Sequence, residues 1–363
     1  MKKTLIALAA LAATGAVMAQ SSVTLYGVVD VGFTSVNNSG TGSTDNTGLT
    51  SSNMTTNRLG FRGTEDLGGG LKAKFQIETS LAADAPAASS IGDRGAWVGL
   101  EGGFGEVRLG REYAMTFWSG FLFSPFGTGG VGNGFGFANR VVAHGATGQA
   151  NPIWNSNAVT YSTPRMAGFQ AHAQYAFDEI AAAGNDAGRS AGLRLNYSAG
   201  PLMAELAYSD TDGGATLAAA SPVLGLTTSA DHKSVVGGVS YDFGVAKLMT
   251  NFGQEKATNA ATGASIGKVT NFEIGAVAPV GPGRLRASYN STKIDITGVA
   301  TDPKITKFAV GYIYDLSKRT AVYATVASLK NKNGANLALN GPASTNSVNG
   351  RSTGYNVGIS HVF

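Results

Sequence analysis

The sequence predicts an all-β chain in which sixteen antiparallel strands close into a transmembrane barrel, and three observations lead to that prediction. Apolar and polar residues alternate with period 2 from residue 23 to the end of the chain, as in strands with one wet and one apolar face. Tight turns alternate along the chain with longer polar connections. After Ala19 no apolar stretch reaches the roughly 18 residues of a membrane helix, which excludes helical spans.

The first strands show the alternation clearly. Residues 23–33 place valine, leucine and phenylalanine on one face and threonine, tyrosine and aspartate on the other. In residues 71–78, Phe75 and Ile77 alternate with Lys74 and Glu78. A strand buried on one face only has this pattern.

The connections give the strand count. Tight turns are expected at residues 67–70, 102–105, 164–168, 199–201, 242–244, 279–283 and 315–319. Longer polar connections are expected around residues 37–52, 81–92, 112–156, 179–189, 211–232, 257–267, 295–303 and 331–350. Seven short and eight long connections join sixteen strands of about ten residues, the length with which a tilted strand crosses the hydrocarbon layer.

A soluble β-sandwich is the alternative fold. It would rarely keep a long series of basic residues strictly in phase opposite an apolar face. That series is Arg58, Arg62, Lys72, Lys74, Arg284 and Arg286. The uninterrupted phase therefore favours the barrel.

Residues 1–19 have the order of a secretory signal peptide. Two lysines precede an apolar run from Leu5 to Val17, which is too short to span a membrane as a helix. Cleavage is expected after Ala19, which leaves residues 20–363 as the barrel domain.

The composition argues against several other functions. Without the two leader lysines, 27 − 2 = 25 basic residues face 23 acidic ones, with no run of like charges, so no nucleic-acid partner is expected. The chain has no cysteine, and its four histidines share no ligand-like spacing. We expect neither a metal site nor a cofactor.

Two glycine motifs resemble enzyme motifs but lack the required context. Residues 127–132 have the glycine spacing of a dinucleotide site, and residues 263–267 that of a nucleophile elbow. Neither lies between a predicted strand and a predicted helix, which both motifs require. We expect no enzymatic activity and no catalytic residue. An outer-membrane barrel hydrolase and a surface-binding barrel stay open as alternatives.

Five segments resemble the general porins of Gram-negative bacteria, most closely the β-proteobacterial type. They are residues 22–27, 58–68, 94–100, 105–111 and 355–363. The resemblance implies a sixteen-stranded homotrimer of the outer membrane, surrounded by lipid and lipopolysaccharide, with periplasmic short turns, extracellular long loops and an inward-folded third loop. It also implies passive diffusion of small hydrophilic solutes and inorganic ions through a water-filled channel.

The same resemblance gives the closing strand a second role. The face formed by Tyr355, Ile359, His361 and Phe363 is similar to the signal that the barrel assembly machinery reads. The last strand is thus expected both to close the barrel and to carry this signal.

Residues that face the lumen decide selectivity in such a channel. By phase, the basic set is Arg58, Arg62, Lys72, Lys74, Arg194, Arg284, Arg286 and Lys307, and the acidic set is Asp30, Glu78, Glu205 and Glu273. The family opposes a basic wall cluster to acidic residues of the third loop, and Arg58 and Arg94 match the wall positions. The constriction is expected to comprise Arg58, Arg94, Arg62, Lys74, Asp30 and Arg111.

This chain departs from the family pattern in the third loop. Between Glu112 and Asp178 there is no aspartate or glutamate. A narrow lumen concentrates an uncompensated positive field. The sequence therefore predicts a preference for anions, opposed in part by Asp30, which is expected to face the lumen.

Overall fold

The computed structural model describes residues 22–85, 89–134, 153–178, 188–213 and 230–363. The predicted signal peptide lies outside these described residues. The elements are β1 (Ser22–Asn38), β2 (Asn46–Ser51), β3 (Arg58–Gly68), β4 (Leu71–Ser80), β5 (Gly95–Gly102), β6 (Gly105–Tyr113), α1 (Phe117–Leu122), β7 (Trp154–Ser162), β8 (Phe169–Ala176), β9 (Ser190–Ala199), β10 (Leu202–Thr211), β11 (Ala230–Asp242), β12 (Lys247–Asn259), β13 (Ser265–Val280), β14 (Gly283–Ile296), β15 (Lys304–Asp315), β16 (Thr320–Lys332) and β17 (Arg351–Val362).

The strands form one antiparallel sheet that closes on itself. β17 returns to β1, with Val28 opposite Val362 and Asn38 opposite Ser352. Beyond the end of β17, the backbones of Gly27 and Phe363 exchange two hydrogen bonds of 3.1 Å. Closure leaves no free sheet edge, which is the condition for a β structure in hydrocarbon. The predicted sixteen-stranded barrel is confirmed.

Two of the strands, β2 and β3, share one position in this barrel. β1 pairs with β3 through Ser22–Val28 and with β2 through Val31–Val36. The barrel thus has sixteen strand positions built from seventeen strands. The assignment of residues 37–52 to a single connection was wrong, because β1 extends to Asn38 and β2 lies inside that range. The β2 segment is short and lacks the apolar alternation that revealed the other strands.

Asp30 holds the interruption between β2 and β3 in place. Its buried carboxylate accepts hydrogen bonds from the backbone N–H groups of Asn53 (3.0 Å), Met54 (3.1 Å) and Thr55 (3.1 Å). It accepts a fourth from the hydroxyl of Tyr323 at 2.6 Å. The segment between the two strands is folded around one carboxylate.

The two faces of the sheet differ as the alternation predicts. Large apolar side chains are exposed on the outward face, among them Leu25, Phe61, Val98, Leu195, Phe252, Phe272, Phe308 and Val357. The inward face carries buried polar and charged side chains such as Glu205, Glu273 and Lys307. An apolar outer band around a polar interior is the arrangement of an outer-membrane barrel.

The predicted tight turns coincide with short breaks between strands. The first joins β3 to β4 through Gly68, Gly69 and Gly70, whose φ angles are +85°, +62° and +81°. Glycine adopts these left-handed angles without a steric penalty. No helix in the described ranges is long and apolar enough to cross a membrane.

We expect Asp30→Ala to lower the free energy of unfolding by about 3 kcal/mol, because three backbone amides, of which that of Asn53 is buried, lose their acceptor. Tyr323→Phe removes only one hydrogen bond and is expected to cost about 1 kcal/mol. Denaturant unfolding of the detergent-solubilised barrel measures both. Equal stability of Asp30→Ala and the wild type would contradict this role of the carboxylate.

Candidate pore constriction

The third long connection folds into the barrel. From α1 to Gly134 it runs along the inner wall, past β10, β11 and β12 and on to β15. Three of its apolar side chains lie against inward glycines on alternate strands. The pairs are Phe123 with Gly238 on β11, Pro125 with Gly275 on β13, and Phe126 with Gly311 on β15. A Cβ at these glycines would lie 2.3, 2.5 and 3.1 Å from the facing loop residue. The glycines make room for the loop.

Two glutamates of the inner wall, Glu205 and Glu273, accept hydrogen bonds from the third loop. Ser119 donates to Glu205 at 2.8 Å, and Ser124 donates to Glu273 at 2.9 Å. The Asn251 amide donates to Glu273 at 3.1 Å and to the carbonyl of Phe123 at 3.0 Å. Both carboxylates lie on the inner face, as the alternation predicts, and both are buried beneath the loop. They hold the loop in place and are withdrawn from the channel.

Wall cations bind the same loop. Arg194 pairs with Glu205 at 2.8 Å and lies 5.1 Å from the ring centre of Trp118. Arg286 donates to the carbonyl of Pro125 at 3.3 Å and lies 4.5 Å from the ring centre of Phe126. Lys307 donates to the carbonyl of Asn133. We call the inward side chains of β9–β15 the docking wall.

The last long connection fills more of this side. Its Leu337 and Leu339 pack inside the barrel with Val131 of the third loop and with apolar residues of the wall. Those wall residues are Val36, Val269, Ile294, Ile305 and Leu329. These contacts fill the lumen next to β13–β16 and β1.

On the other side of the lumen, Arg58 and Arg94 share one carboxylate. Glu78 lies 2.8 Å from Nε of Arg94 and 3.7 Å from Nε of Arg58. The Tyr26 hydroxyl donates to Glu78 at 3.0 Å, and Arg94 donates to the Tyr113 hydroxyl at 2.8 Å. These contacts fix the two guanidinium groups on adjacent parts of the wall.

Two further arginines complete this cluster. Arg111 and Arg94 lie 5.7 and 5.6 Å from the ring centre of Trp154, and Arg111 also donates to the carbonyl of Asp93 at 2.7 Å. Arg62 lies 5.1 Å from the ring centre of Tyr26. We call Arg58, Arg62, Arg94 and Arg111 the arginine wall. Its four cations face two carboxylates, Glu78 and Asp93, within the described residues, so the local charge is positive.

Lys74 and Asp30 are not part of this cluster. Lys74 lies between Glu101 at 2.7 Å and Glu106 at 2.8 Å, so its charge is compensated locally. It borders a recess of about 380 Å³ that Arg62 also lines. Asp30 is enclosed by the segment between β2 and β3.

The sequence reasoning missed the aromatic supports of the arginines. The chain contains three tryptophans, and each has at least one guanidinium carbon within 5.7 Å of its ring centre. An arginine over an indole is held by cation–π attraction. The rarity of tryptophan was a usable signal, but the pairing follows from strand register and loop course.

The third loop contributes no charge to oppose the arginine wall over its described part. Residues 114–134 contain no charged side chain. Over these described residues, a basic surface therefore faces an uncharged loop segment.

Comparison with known proteins agrees with this architecture. The sequence profile described as Gram-negative porin matches residues 4–334. The chain belongs to the Gram-negative porin family. Porins are channels of the outer membrane and not enzymes, which confirms the predicted localisation and general function.

Individual relatives cover nearly the whole porin. Outer membrane porin protein 32 of Delftia acidovorans is 40% identical over 370 residues, covering 100% of both chains. An outer membrane porin of Bordetella pertussis is 31% identical over 381 residues, covering 91% of this chain and 95% of its own. The solved anion-selective porin from Comamonas acidovorans has a TM-score of 0.83 and 36% identity, covering 95% of this chain and 100% of its own.

The glycine contacts predict how the loop position responds to one methyl group. We expect Gly238→Ala to displace Phe123 from the docking wall toward the aqueous path, and thereby to lower single-channel conductance. Gly253→Ala is the matched control, since the nearest atom to a Cβ there is 3.4 Å away. Planar-bilayer recordings measure both. Unchanged conductance in Gly238→Ala would show that this contact does not position the loop.

Proposed function

We propose that this porin is an anion-preferring diffusion channel whose selectivity arises at the arginine wall. The observation that carries the proposal is the local excess of four guanidinium groups over two carboxylates among the described residues, opposite a loop segment, residues 114–134, without charge. Hydrated anions that pass this point interact with a positive field in a narrow lumen. The solved porin from Comamonas acidovorans is anion-selective, which supports the same preference here.

The docking wall strengthens this proposal. Glu205 and Glu273 are the acidic groups that would otherwise oppose the arginines across the lumen. Each is buried and hydrogen-bonded to the third loop, and Glu205 is also paired with Arg194. Glu205 is ion-paired at the wall and Glu273 is hydrogen-bonded beneath the loop, while Arg62 on the opposite side has no carboxylate within ion-pair distance among the described residues.

Reversal potentials in a potassium chloride gradient test the proposal. We expect the wild type to favour chloride, and Arg58→Gln and Arg94→Gln each to lower the chloride-to-potassium permeability ratio about fivefold, as for the loss of about 1 kcal/mol of attraction per charge. Higher salt is expected to reduce the difference, because ions screen the field.

Lys74→Gln is the matched control for the same recordings. It removes an equal charge from the same face of the barrel, but from a position between two carboxylates. We expect less than half the effect of Arg58→Gln. A wild type that favours potassium, or an equal effect of all three substitutions, would overturn the assignment. Absence of channels would contradict conduction itself.

We further propose that the porin assembles as a homotrimer, contacts lipopolysaccharide, and is inserted by the barrel assembly machinery. Support for the last point comes from the closing strand. Tyr355, Ile359 and Phe363 are exposed apolar residues on its outward face, and His361 belongs to the same face. Such a face is accessible to a receptor before the barrel closes.

The proposed leader is cleaved after Ala19. Intact-mass measurement of the protein purified from outer membranes is expected to show a chain that begins at Gln20. A mass that includes residues 1–19 would contradict the proposed processing. Ala19→Leu should slow cleavage, because the peptidase recognises small residues at the end of the leader.

A further inference from the structure

The outward face of the barrel carries a row of cations at one rim. The row follows the ends of β11–β17 that lead into long connections. Its members are Lys233, Lys256, Lys268, Lys293, Lys304, Lys330, Lys332 and Arg351, which we call the rim row. Long loops of outer-membrane barrels are extracellular, so this rim is at the outer leaflet.

The distance from the apolar band to the rim row is constant from strand to strand. In six strands the cation lies four residues beyond an exposed apolar or aromatic side chain of the same face. The pairs are Phe252 with Lys256, Phe272 with Lys268, Tyr289 with Lys293, Phe308 with Lys304, Val326 with Lys330, and Tyr355 with Arg351. Four residues span about 13 Å along a strand. At a tilt of about 45° this is roughly 9 Å along the barrel axis, from the hydrocarbon into the headgroup layer.

The residue halfway between each pair is polar and uncharged. These positions are Gln254, Thr270, Ser291, Thr306, Ser328 and Thr353. The surface therefore passes from apolar through hydrogen-bonding to cationic in the same order on six neighbouring strands. A lipid with acyl chains, an amide or ester region and an anionic headgroup has this same order.

Register places like charges directly beside one another in the row. Lys256 lies opposite Lys268, and Lys304 lies between Lys293 and Lys332. Lys330 lies opposite Arg351. Side chains directly opposite on one face have Cβ atoms about 5 Å apart, and like charges there are destabilising. An anion between the members of the row would offset this repulsion.

Carboxylates of the protein compensate only three cations of the rim row. Lys233 pairs with Asp210 at 3.0 Å, Lys293 with Asp302 at 2.6 Å, and Lys268 with Asp295 at 4.0 Å. The other members have no ion pair with a carboxylate of the described chain; these are Lys256, Lys304, Lys330, Lys332 and Arg351. At the same rim of β4 and β5, the outward residues Thr79 and Ala96 are uncharged. Within the described residues, the rim-row members without an ion pair lie on β12, β15, β16 and β17.

We propose that the rim row binds the phosphate groups of outer-leaflet glycolipid, with the acyl chains against the apolar residues below it. A phosphate offers several oxygens that accept charge-assisted hydrogen bonds from adjacent lysines. Basic groups at a membrane surface add to one another in attracting anionic lipid. The site rests on the proposed contact with lipopolysaccharide and locates it on the β11–β17 half of the barrel.

The test uses the folded full-length porin in detergent and purified bisphosphorylated lipid A, with binding followed by native mass spectrometry. The variant Lys256→Gln/Lys304→Gln/Lys330→Gln neutralises three exposed members of the rim row. Arg165→Gln/Lys318→Gln/Arg319→Gln removes three exposed cations from the short-turn rim and is the matched control. We expect at least about tenfold weaker binding in the first variant and wild-type binding in the control.

Dephosphorylated lipid A separates the phosphate contribution from the acyl chains. It is expected to bind the wild type and the rim-row variant equally. Equal binding of bisphosphorylated lipid A by the wild type and the rim-row variant, or an equal loss in the control, would overturn the site. Conductance of the rim-row variant is expected to match the wild type, so the outcome is independent of the proposed channel selectivity.

Discussion

The structure depends on one constraint, which is that hydrocarbon offers no hydrogen-bond partner to a peptide group. The last residue illustrates it, since Phe363 exchanges two backbone hydrogen bonds with Gly27 where β17 meets β1. Because every strand is part of the closed barrel wall, the alternation of side chains along each strand decides which residues face the lumen and which face the lipid. The chemistry that distinguishes this porin is therefore carried by what is placed on the inner face and folded against it.

The third loop divides that inner face into two halves with different roles. Along β9–β15, serine–carboxylate, arginine–aromatic and lysine–carbonyl contacts are all used to hold the loop. Along β3–β6, Arg58 and Arg94 are held by Glu78, and Arg94 also by Tyr113 and Trp154, with no hydrogen bond or ion pair to the described loop residues 114–134. The same residue types thus hold the loop on one half, and on the other they form the arginine wall that we propose as the charged channel surface.

The alternation of apolar and polar residues was sufficient to predict the strands and the tight turns. It also predicted the inward position of Glu205, Glu273 and Lys307. It was not sufficient for their roles, because alternation assigns a face but not the partner across the lumen. Asp30 shows the difference. Its inward phase suggested a channel charge, whereas its carboxylate is occupied by three amides of a segment that interrupts a strand. The sequence also did not reveal the role of glycines such as Gly238, because that role is to leave space for a loop side chain that packs against them.

The positions at which charges are ion-paired also explain why the total charge of the chain is a poor guide to the ion selectivity of a channel. The predicted mature chain is nearly neutral, with 27 − 2 = 25 basic and 23 acidic residues, yet its charges are unevenly distributed. Glu205 beneath the loop, Glu101 and Glu106 beside Lys74, and Asp210 and Asp302 at the rim are each ion-paired with a basic side chain. Since the interaction of charges falls with distance and with screening by salt, a passing ion responds to the nearest uncompensated group. We propose that in this porin the arginine wall, where four arginines share two carboxylates, presents that group.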